Sequence, residues 1–207
     1  MKPKNVLCLG AHCDDIEIGC GGSILKYAHA MPDMNVRWVV FSSDETREQE
    51  ALDSAADFLG DVEEKTVSIL RFRNGFFPQC WGEIKEYFEE LKKAFDPDVI
   101  FTHCRGDLHQ DHRVIHELTW NTFRNHLILE YEIAKYDADL RSPNAFVCLE
   151  ENICRRKTDN LKKHFKSQAD KPWFTEDLFM SMLRLRGVES NSPSKYAEGF
   201  YCRKIIL

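Results

Sequence analysis

The sequence predicts an α/β fold, Rossmann-like, with a mostly parallel sheet and helices on both faces. Strand and helix signals alternate through the first two-thirds of the 207 residues, a pattern typical of parallel sheets whose strands are joined by helical crossovers. The hydrophobic content of 43% supports a core of good size. Because the chain contains no repeat, low-complexity run or linker, we predict a single domain over residues 1–207.

The first half of the chain contains two clear strand–helix units. The apolar run 6–9 is a predicted strand, followed by a glycine-rich loop over 10–22 and a helix completed over 24–30. A second strand is predicted over 36–41, and a helix over about 45–59. Ser42-Ser43-Asp44 supplies N-cap residues for that helix, and Gly60 supplies its C-terminal stop.

The middle of the chain continues the alternation after an irregular segment. A third strand is predicted over 66–70. Residues 73–81 then place aromatic side chains among Gly and Pro, which fits a substrate wall or a loop folded onto the core. The next helix carries an apolar face and ends at Asp96-Pro97, before a fourth strand over 98–102. The remaining predicted elements are strands over 127–129, 146–149 and about 200–206, and helices near 159–165 and 175–186.

The loop over 10–22 carries the first group of chemically reactive side chains. It lies at the carboxyl end of a predicted strand, where α/β sheets bind ligands, and it holds His12, Asp14 and Asp15. Adjacent carboxylates repel each other, so a loop that holds both needs a cation nearby or lets one of them take a proton. One carboxylate can bind a divalent metal while the other works on a metal-bound water. Two alternatives remain open at this stage: a nucleotide-binding turn, or a solvated loop with an Asp as helix N-cap.

A second loop, over 103–113, follows the fourth strand in the same way. Together the two loops hold four histidines and four aspartates. A catalytic zinc takes three protein ligands and keeps one position open for water, which His12, Asp15 and one histidine of the second loop would satisfy. We predict ordinary structural roles for the remaining histidines, which are His29, His116, His126 and His164.

Composition restricts the partners. A formal net charge of −6 argues against nucleic acid as the main partner. No apolar run reaches the ~20 residues of a membrane span, and the N-terminal apolar run is too short for a signal peptide. Eight cysteines without a Cys-x-x-Cys pair predict buried thiols in a reducing cytoplasm. A homo-oligomer stays open.

The two loops resemble the signatures of a known family. Ala11-His12-Cys13-Asp14-Asp15 is similar to the Ala-His-Pro-Asp-Asp signature of the PIG-L/LmbE-like zinc-dependent N-deacetylases, and residues 107–112 resemble its Asp-x-His-x-Asp-His signature. Residues 46–60, 164–168 and 196–200 resemble further family segments, so the resemblance covers nearly the whole chain. The family fold is Rossmann-like, in agreement with the periodicity.

The resemblance implies a role for individual residues. It implies that Zn²⁺, or Fe²⁺ or another divalent metal, is bound by His12, Asp15 and His112. It implies that Asp14 takes a proton from zinc-bound water, and that His109 protonates the leaving amine or stabilises the oxyanion. The two remaining assignments are Asp111 as the carboxylate that orients a histidine and Arg47 as a substrate contact. A surface pair of Arg47 with Glu50 is an alternative for Arg47.

The substrate implied by the resemblance is an N-acetylated amino sugar, either free, nucleotide-linked or part of a glycoconjugate, with acetate as a product. Cys13 departs from the family pattern because it stands where the family has proline. Two alternatives for its thiol are a fourth metal ligand and an oxidation site. Since it lies between a ligand and the base, we predict that its side chain points elsewhere.

Three other functions stay open from the sequence. A phosphoesterase would need a second metal or a basic clamp, for which Arg47 with Arg105 or Arg113 could serve. A non-catalytic nucleotide-binding module would use Gly19-x-Gly21-Gly22, although the acidic cluster before these glycines would repel phosphate. A metal-binding regulator would hold metal without turnover.

Overall fold

A computed structural model describes residues 3–206 and contains one seven-stranded sheet. The order across the sheet is β3-β2-β1-β4-β5-β7-β6. Strands β1 to β5 run parallel, and β7 is antiparallel to both β5 and β6. The strands are β1 (Asn5–Gly10), β2 (Asn35–Val40), β3 (Glu64–Ile69), β4 (Val99–His103), β5 (Leu127–Tyr131), β6 (Ala145–Leu149) and β7 (Tyr196–Tyr201).

Six helices join and cover these strands. They are α1 (Asp15–Ala30), α2 (Glu45–Phe58), α3 (Trp81–Ala94), α4 (Gln110–Thr122), α5 (Glu151–His164) and α6 (Glu176–Glu189). Within residues 3–206, none of them combines the length and the apolar character that crossing a membrane requires.

The two faces of the sheet carry separate apolar cores, as the alternation along β1 shows. Val6 and Cys8 pack with α1, α2, α5 and α6, whereas Leu7 and Leu9 pack with α3 and α4. Side chains alternate between the faces of a strand, so a strand buried on both faces reads as a continuous apolar run. The predicted α/β fold with helices on both faces is confirmed.

Helix α1 begins earlier than predicted, at Asp15, so the three glycines predicted to lie in a loop are inside the helix. They allow close packing there. A Cβ at Gly19 would lie 2.1 Å from the Tyr131 ring, and one at Gly21 would lie 2.6 Å from the Phe58 ring. A Cβ at Gly22 would lie 2.5 Å from a methyl of Leu149. These glycines therefore fix how closely α1 packs, which argues against the nucleotide-binding turn.

The closing strand β7 also lies earlier than predicted, at Tyr196–Tyr201. Its interior contains Glu198, which is buried and accepts hydrogen bonds from the backbone N–H groups of Gly22 and Ser23 at 2.8 and 2.7 Å. Lys157 of α5 donates to the same carboxylate at 2.7 Å. A charged residue at the centre of a strand weakens its apolar pattern, which explains why this strand was predicted too close to the C-terminus.

Strand order locates the ligand crevice. The chain leaves β1 toward β2 and later returns to β4 on the opposite side of β1. Such a switch point opens a crevice at the carboxyl ends of the two strands. The loops after β1 and β4 are the two that carry the histidines and aspartates.

Candidate metal centre and active site

The two loops meet at a cavity of about 310 Å³. His12, Asp14 and Asp15 come from the first loop and the start of α1, and His109 and His112 from the second loop and α4. The cavity is completed by the segments after β5 and after α5. Its other lining residues are Arg47, Asn74, Ile133, Lys135, Tyr136, Asp137, Gln168, Lys171 and Trp173.

Three donor atoms converge at the floor of this cavity. His12 Nδ1 lies 3.1 Å from His112 Nε2. Asp15 Oδ2 lies 3.3 Å from His12 Nδ1 and 3.4 Å from His112 Nε2. Atoms that bind one tetrahedral zinc at its usual bond lengths lie about 3.3 Å apart. The donor set therefore fits the divalent metal that the sequence pattern indicates.

The second ring nitrogen of His12 and that of His112 each face a carboxylate. His12 Nε2 lies 3.2 Å from Asp111 Oδ2, and His112 Nδ1 lies 2.8 Å from Asp107 Oδ2. Such contacts fix the tautomer and the orientation of a metal-binding imidazole. Asp111 was predicted to orient a histidine, whereas Asp107 was missed. Its position in the strand-to-helix loop, five residues before His112, was the available signal.

Asp107 is held in turn by Lys135, from the segment after β5. Lys135 Nζ lies 3.0 Å from Asp107 Oδ1 and 2.8 Å from Asp139 Oδ2. Burial raises the pKa of Asp107, but the hydrogen bond from His112 and the nearby charges outweigh it and leave that pKa well below its usual range. The same ammonium group contacts all three carboxylates of the cluster formed by Asp107, Asp137 and Asp139.

His103 lies behind the three donor atoms. Its ring stacks on that of His112 with centroids 3.9 Å apart, and its Nε2 lies 3.3 Å from Asp15 Oδ2. That nitrogen already accepts the backbone N–H of Ala11 at 3.0 Å. His103 is fully buried and does not line the cavity. It therefore packs behind the three donor residues, although Asp15, His103 and His112 also form a group of metal-ligand spacing.

The two neighbouring carboxylates of the first loop have different surroundings. Asp15 Oδ2 faces the imidazoles and accepts the backbone N–H of His12 at 2.7 Å. Asp14 precedes α1 without capping it through its side chain. Its Oδ1 accepts Arg47 Nη2 at 2.8 Å, and its buried Oδ2 has no hydrogen-bond partner among residues 3–206. Asp14 thus presents one unpaired oxygen at the cavity.

The pKa values of the two loops reflect the same division. Burial raises the pKa of Asp14, and Arg47 opposes that shift. Burial also raises the pKa of Asp15, but the nearby imidazoles outweigh it and hold that pKa well below its usual range. Burial lowers the pKa of His112 to about 3. Burial opposes charge on His12 as well, yet Asp15 and Asp111 raise its pKa to about 10.

His109 stands at the N-cap of α4 and is half-buried in the cavity wall. Its Nδ1 accepts the backbone N–H of Asp111 at 3.2 Å, so its Nε2 carries the proton in the neutral ring. Burial, reinforced by the charge of His12, lowers the pKa of His109. The neutral ring is therefore a hydrogen-bond donor through Nε2.

Arg47 and Cys13 occupy distinct environments. Arg47 pairs with Asp14 and not with Glu50, whose carboxylate accepts hydrogen bonds from the Ser167 N–H and hydroxyl at 2.8 and 2.6 Å.

Cys13 is fully buried in the core and its Sγ contacts the Ser42 carbonyl at 3.4 Å. Burial raises the pKa of the Cys13 thiol to about 12. Because cysteine binds metals as a thiolate, this neutral thiol in the core does not have the properties of a metal ligand.

The irregular segment after β3 folds onto the core, and none of its aromatic side chains lines the cavity. Asn74 lines the cavity, while Phe77 is fully buried in the core. The backbone N–H groups of Gly75 and Phe77 donate to Asp111 at 2.6 and 3.1 Å. Asp111 thus ties this segment to His12.

The histidines outside the centre have structural partners where their contacts are described. His164 Nε2 lies 2.6 Å from Asp57 Oδ2, and His126 Nε2 lies 3.0 Å from Asp96 Oδ1. Of the three arginines considered for a phosphate clamp, only Arg47 lines the cavity.

A comparison with known proteins finds a family match over the part of the chain that contains both loops. Residues 7–123 match the family described as PIG-L: GlcNAc-PI de-N-acetylase, which is more than half of the chain and includes both loops. The chain belongs to the PIG-L family. The resemblance seen in the sequence is thereby confirmed, and with it membership of a family of deacetylases.

One curated protein and two solved structures are similar to this chain. The chain is 26% identical over 174 residues to the uncharacterized deacetylase YaiS of Escherichia coli (strain K12), covering 79% of this chain and 91% of that protein. It resembles N,N'-diacetylchitobiose deacetylase from Pyrococcus horikoshii in fold, with a TM-score of 0.72, 20% identity, and coverage of 97% and 84% of the two chains.

The second structure is GalB, the 4-carboxy-2-hydroxymuconate hydratase of Pseudomonas putida KT2440. Its TM-score is 0.73, at 15% identity and with coverage of 99% of this chain and 98% of that one. Because a hydratase has the same fold, the fold alone does not specify deacetylation. The reaction must be argued from the site.

Proposed function

We propose that this chain is a zinc-dependent N-deacetylase that hydrolyses the N-acetyl group of an amino sugar or glycoconjugate. The observation that carries the proposal is that Asp14 is not one of the three converging donors, which belong to His12, Asp15 and His112. Three ligands at zinc spacing sit beside a carboxylate with a free oxygen. Metal-assisted amide hydrolysis needs this pair of functions.

His12, Asp15 and His112 would hold the metal. When bound, it would supply a Lewis acid that polarises the acetyl carbonyl and lowers the pKa of water. Asp107 and Asp111 keep the two imidazoles aimed at the ion through their second nitrogens. Fe²⁺ or another divalent ion fits the same set of nitrogen and oxygen donors.

Asp14 would act as the general base. Its free Oδ2 takes a proton as the water oxygen attacks the acetyl carbon, while Arg47 holds Oδ1 in place. His109 donates from Nε2 to the oxyanion of the tetrahedral intermediate. The proton held by Asp14 then passes to the nitrogen as the C–N bond breaks. Acetate and a free amine result, with one water consumed. Arg47, positioned at the cavity beside Asp14, would also contact the substrate.

The substrate class follows from the family and from the cavity. About 310 Å³ accommodates a small ligand. Trp173 and Tyr136 offer aromatic surface at the cavity wall, and Asn74 and Gln168 offer amide groups for hydroxyls. That mixture suits a sugar ring that carries an acetamido group. The PIG-L family and its deacetylase relative support the same reaction.

The decisive experiment is a panel of N-acetylhexosamines and their conjugates, scored for acetate and free amine. We expect release from at least one member by the metal-loaded protein, and loss of that release in Asp14→Asn. Asp96→Asn is the control, because it makes the same chemical change at a carboxylate outside the cavity. Phosphate release from phosphomonoesters, with no acetate from any acetylated sugar, would favour the phosphoesterase instead.

A further inference from the structure

A second concave site lies on the other side of the loop after β4. This arginine cleft has a volume of about 400 Å³ and shares no lining residue with the cavity around the metal centre. It is formed by the start of that loop, the segment before β6, and the end of β7. Its lining residues are Cys104, Arg105, Gly106, Glu130, Arg141, Tyr201 and Arg203.

Arg203 is held in place before any ligand arrives. Its Nε donates to Glu130 Oε1 at 2.6 Å, and its guanidinium lies 3.8 Å from the centroid of the Trp120 ring. Its Nη2 contacts His116 Nε2 at 3.0 Å. Because His116 Nδ1 faces the His103 carbonyl, Nε2 accepts from Arg203. Three of the five N–H groups of Arg203 stay available.

The other two arginines of the cleft are Arg105 and Arg141. Their guanidinium groups have no carboxylate partner within residues 3–206. The backbone of each is anchored: the Arg105 N–H donates to Glu130 at 2.8 Å, and the Arg141 carbonyl accepts Arg186 at 2.9 Å. The Arg141 side chain crosses Gly106, where a Cβ would lie 2.8 Å from its Nε. Glycine at this position lets the arginine lie against the loop.

The one acid that lines the cleft, Glu130, already accepts three hydrogen bonds. Glu130 accepts from Arg105 N–H, Trp120 Nε1 and Arg203 Nε, at 2.8, 2.8 and 2.6 Å. Three guanidinium groups against this single carboxylate leave two positive charges in excess. This excess lies in a chain whose formal net charge is −6.

We propose that the arginine cleft binds a phosphate-type dianion, either free or as a phosphoryl group on a larger molecule. The two excess positive charges match the charge of such a group. Planar guanidinium forks match the oxygens of phosphate, and a tetrahedral oxyanion presents enough oxygens to engage three forks. A carboxylate would satisfy one fork and leave the others unpaired.

The test uses the full chain and two probes, inorganic phosphate and pyrophosphate, titrated calorimetrically at constant ionic strength. We expect saturable binding of one anion per chain. Arg105→Gln and Arg141→Gln should each weaken it about tenfold or more, since each removes charge-assisted hydrogen bonds. Both side chains are exposed, so the variants should fold, which circular dichroism checks. Arg155→Gln is the control, because it makes the same charge change on exposed α5.

Two results would overturn the proposal. If both cleft variants bind the anion as tightly as the parent protein, the anion sits elsewhere, for example at the metal centre. If Arg155→Gln weakens binding as much as the cleft variants do, the effect is general charge attraction. Neither result depends on deacetylation, so the proposed function and the cleft are tested separately.

Discussion

Asp107 and His112 form a buried pair in which carboxylate Oδ2 lies 2.8 Å from imidazole Nδ1. Both residues are almost fully inaccessible to solvent. The same carboxylate accepts the His109 backbone N–H at 2.9 Å and Lys135 Nζ at 3.0 Å. One side chain therefore positions a proposed ligand, the backbone of the proposed oxyanion donor and a residue of the cavity wall.

We expect Asp107→Asn to weaken metal binding about 10–100-fold, the usual effect of losing a carboxylate behind a ligand histidine. Competition against a chromophoric chelator measures this affinity. His112→Ala, which removes the ligand itself, sets the lower limit. Asp96→Asn, which disrupts a carboxylate–histidine pair far from the centre, should leave the affinity unchanged. Unaltered affinity in Asp107→Asn would remove Asp107 from the metal centre.

The neighbouring carboxylates should differ when each is made neutral. Asp15→Asn should lose metal, and activity with it. Asp14→Asn should keep metal and substrate binding while kcat falls roughly 10²–10⁴-fold, since only the proton transfer is lost. Metal content, substrate binding and turnover, measured on both variants, separate the two cases. Normal turnover by Asp14→Asn would refute the assigned base.

Arg47→Gln should move the acidic limb of the kcat/KM profile to higher pH. Burial raises the pKa of Asp14 and Arg47 opposes this, so loss of the guanidinium raises that pKa further. A base with a higher pKa needs a higher pH to be ionised, which fixes the sign. Arg47→Lys should restore part of the shift. Arg71→Gln, an exposed arginine paired with Glu48, is the control. An unmoved limb in Arg47→Gln would contradict the coupling.

Cys13 should be dispensable for the metal. Its Sγ faces the Ser42 carbonyl inside the core, so Cys13→Ala should retain about one ion per chain. Cys13→Pro, which restores the family residue, should retain metal and most activity. Metal analysis and circular dichroism on both variants decide the matter. A folded Cys13→Ala protein without metal would make the thiol a ligand.

The sequence predicted the parallel part of the fold well, because each of its strands is buried on both faces or bounded by clear helix signals. Beyond β5 the prediction was less accurate. Strand β7 contains Glu198, whose charge is satisfied by Lys157 and by the N–H groups of α1. These partners belong to other elements and lie more than forty residues away along the chain, so no local sequence pattern reveals them.

The candidate site divides in the same way. His12, Asp14 and Asp15 were found because they are adjacent and follow a strand, and His109 and His112 because they repeat that arrangement. Lys135 gives no such signal, since it lies in an irregular segment and contacts Asp107 only through the tertiary fold. Its role depends on strand β5 lying next to β4, which is a matter of strand order.

The cavity wall has two origins, and this affects how the enzyme can be engineered. The proposed metal ligands and base come from the ends of β1 and β4, whereas Ile133, Tyr136, Lys171 and Trp173 come from connecting segments farther along the chain. Mutant libraries directed at these four positions can vary substrate preference while the proposed metal ligands and base are kept. The same separation gives a lineage a way to acquire new acetylated substrates by altering connecting segments.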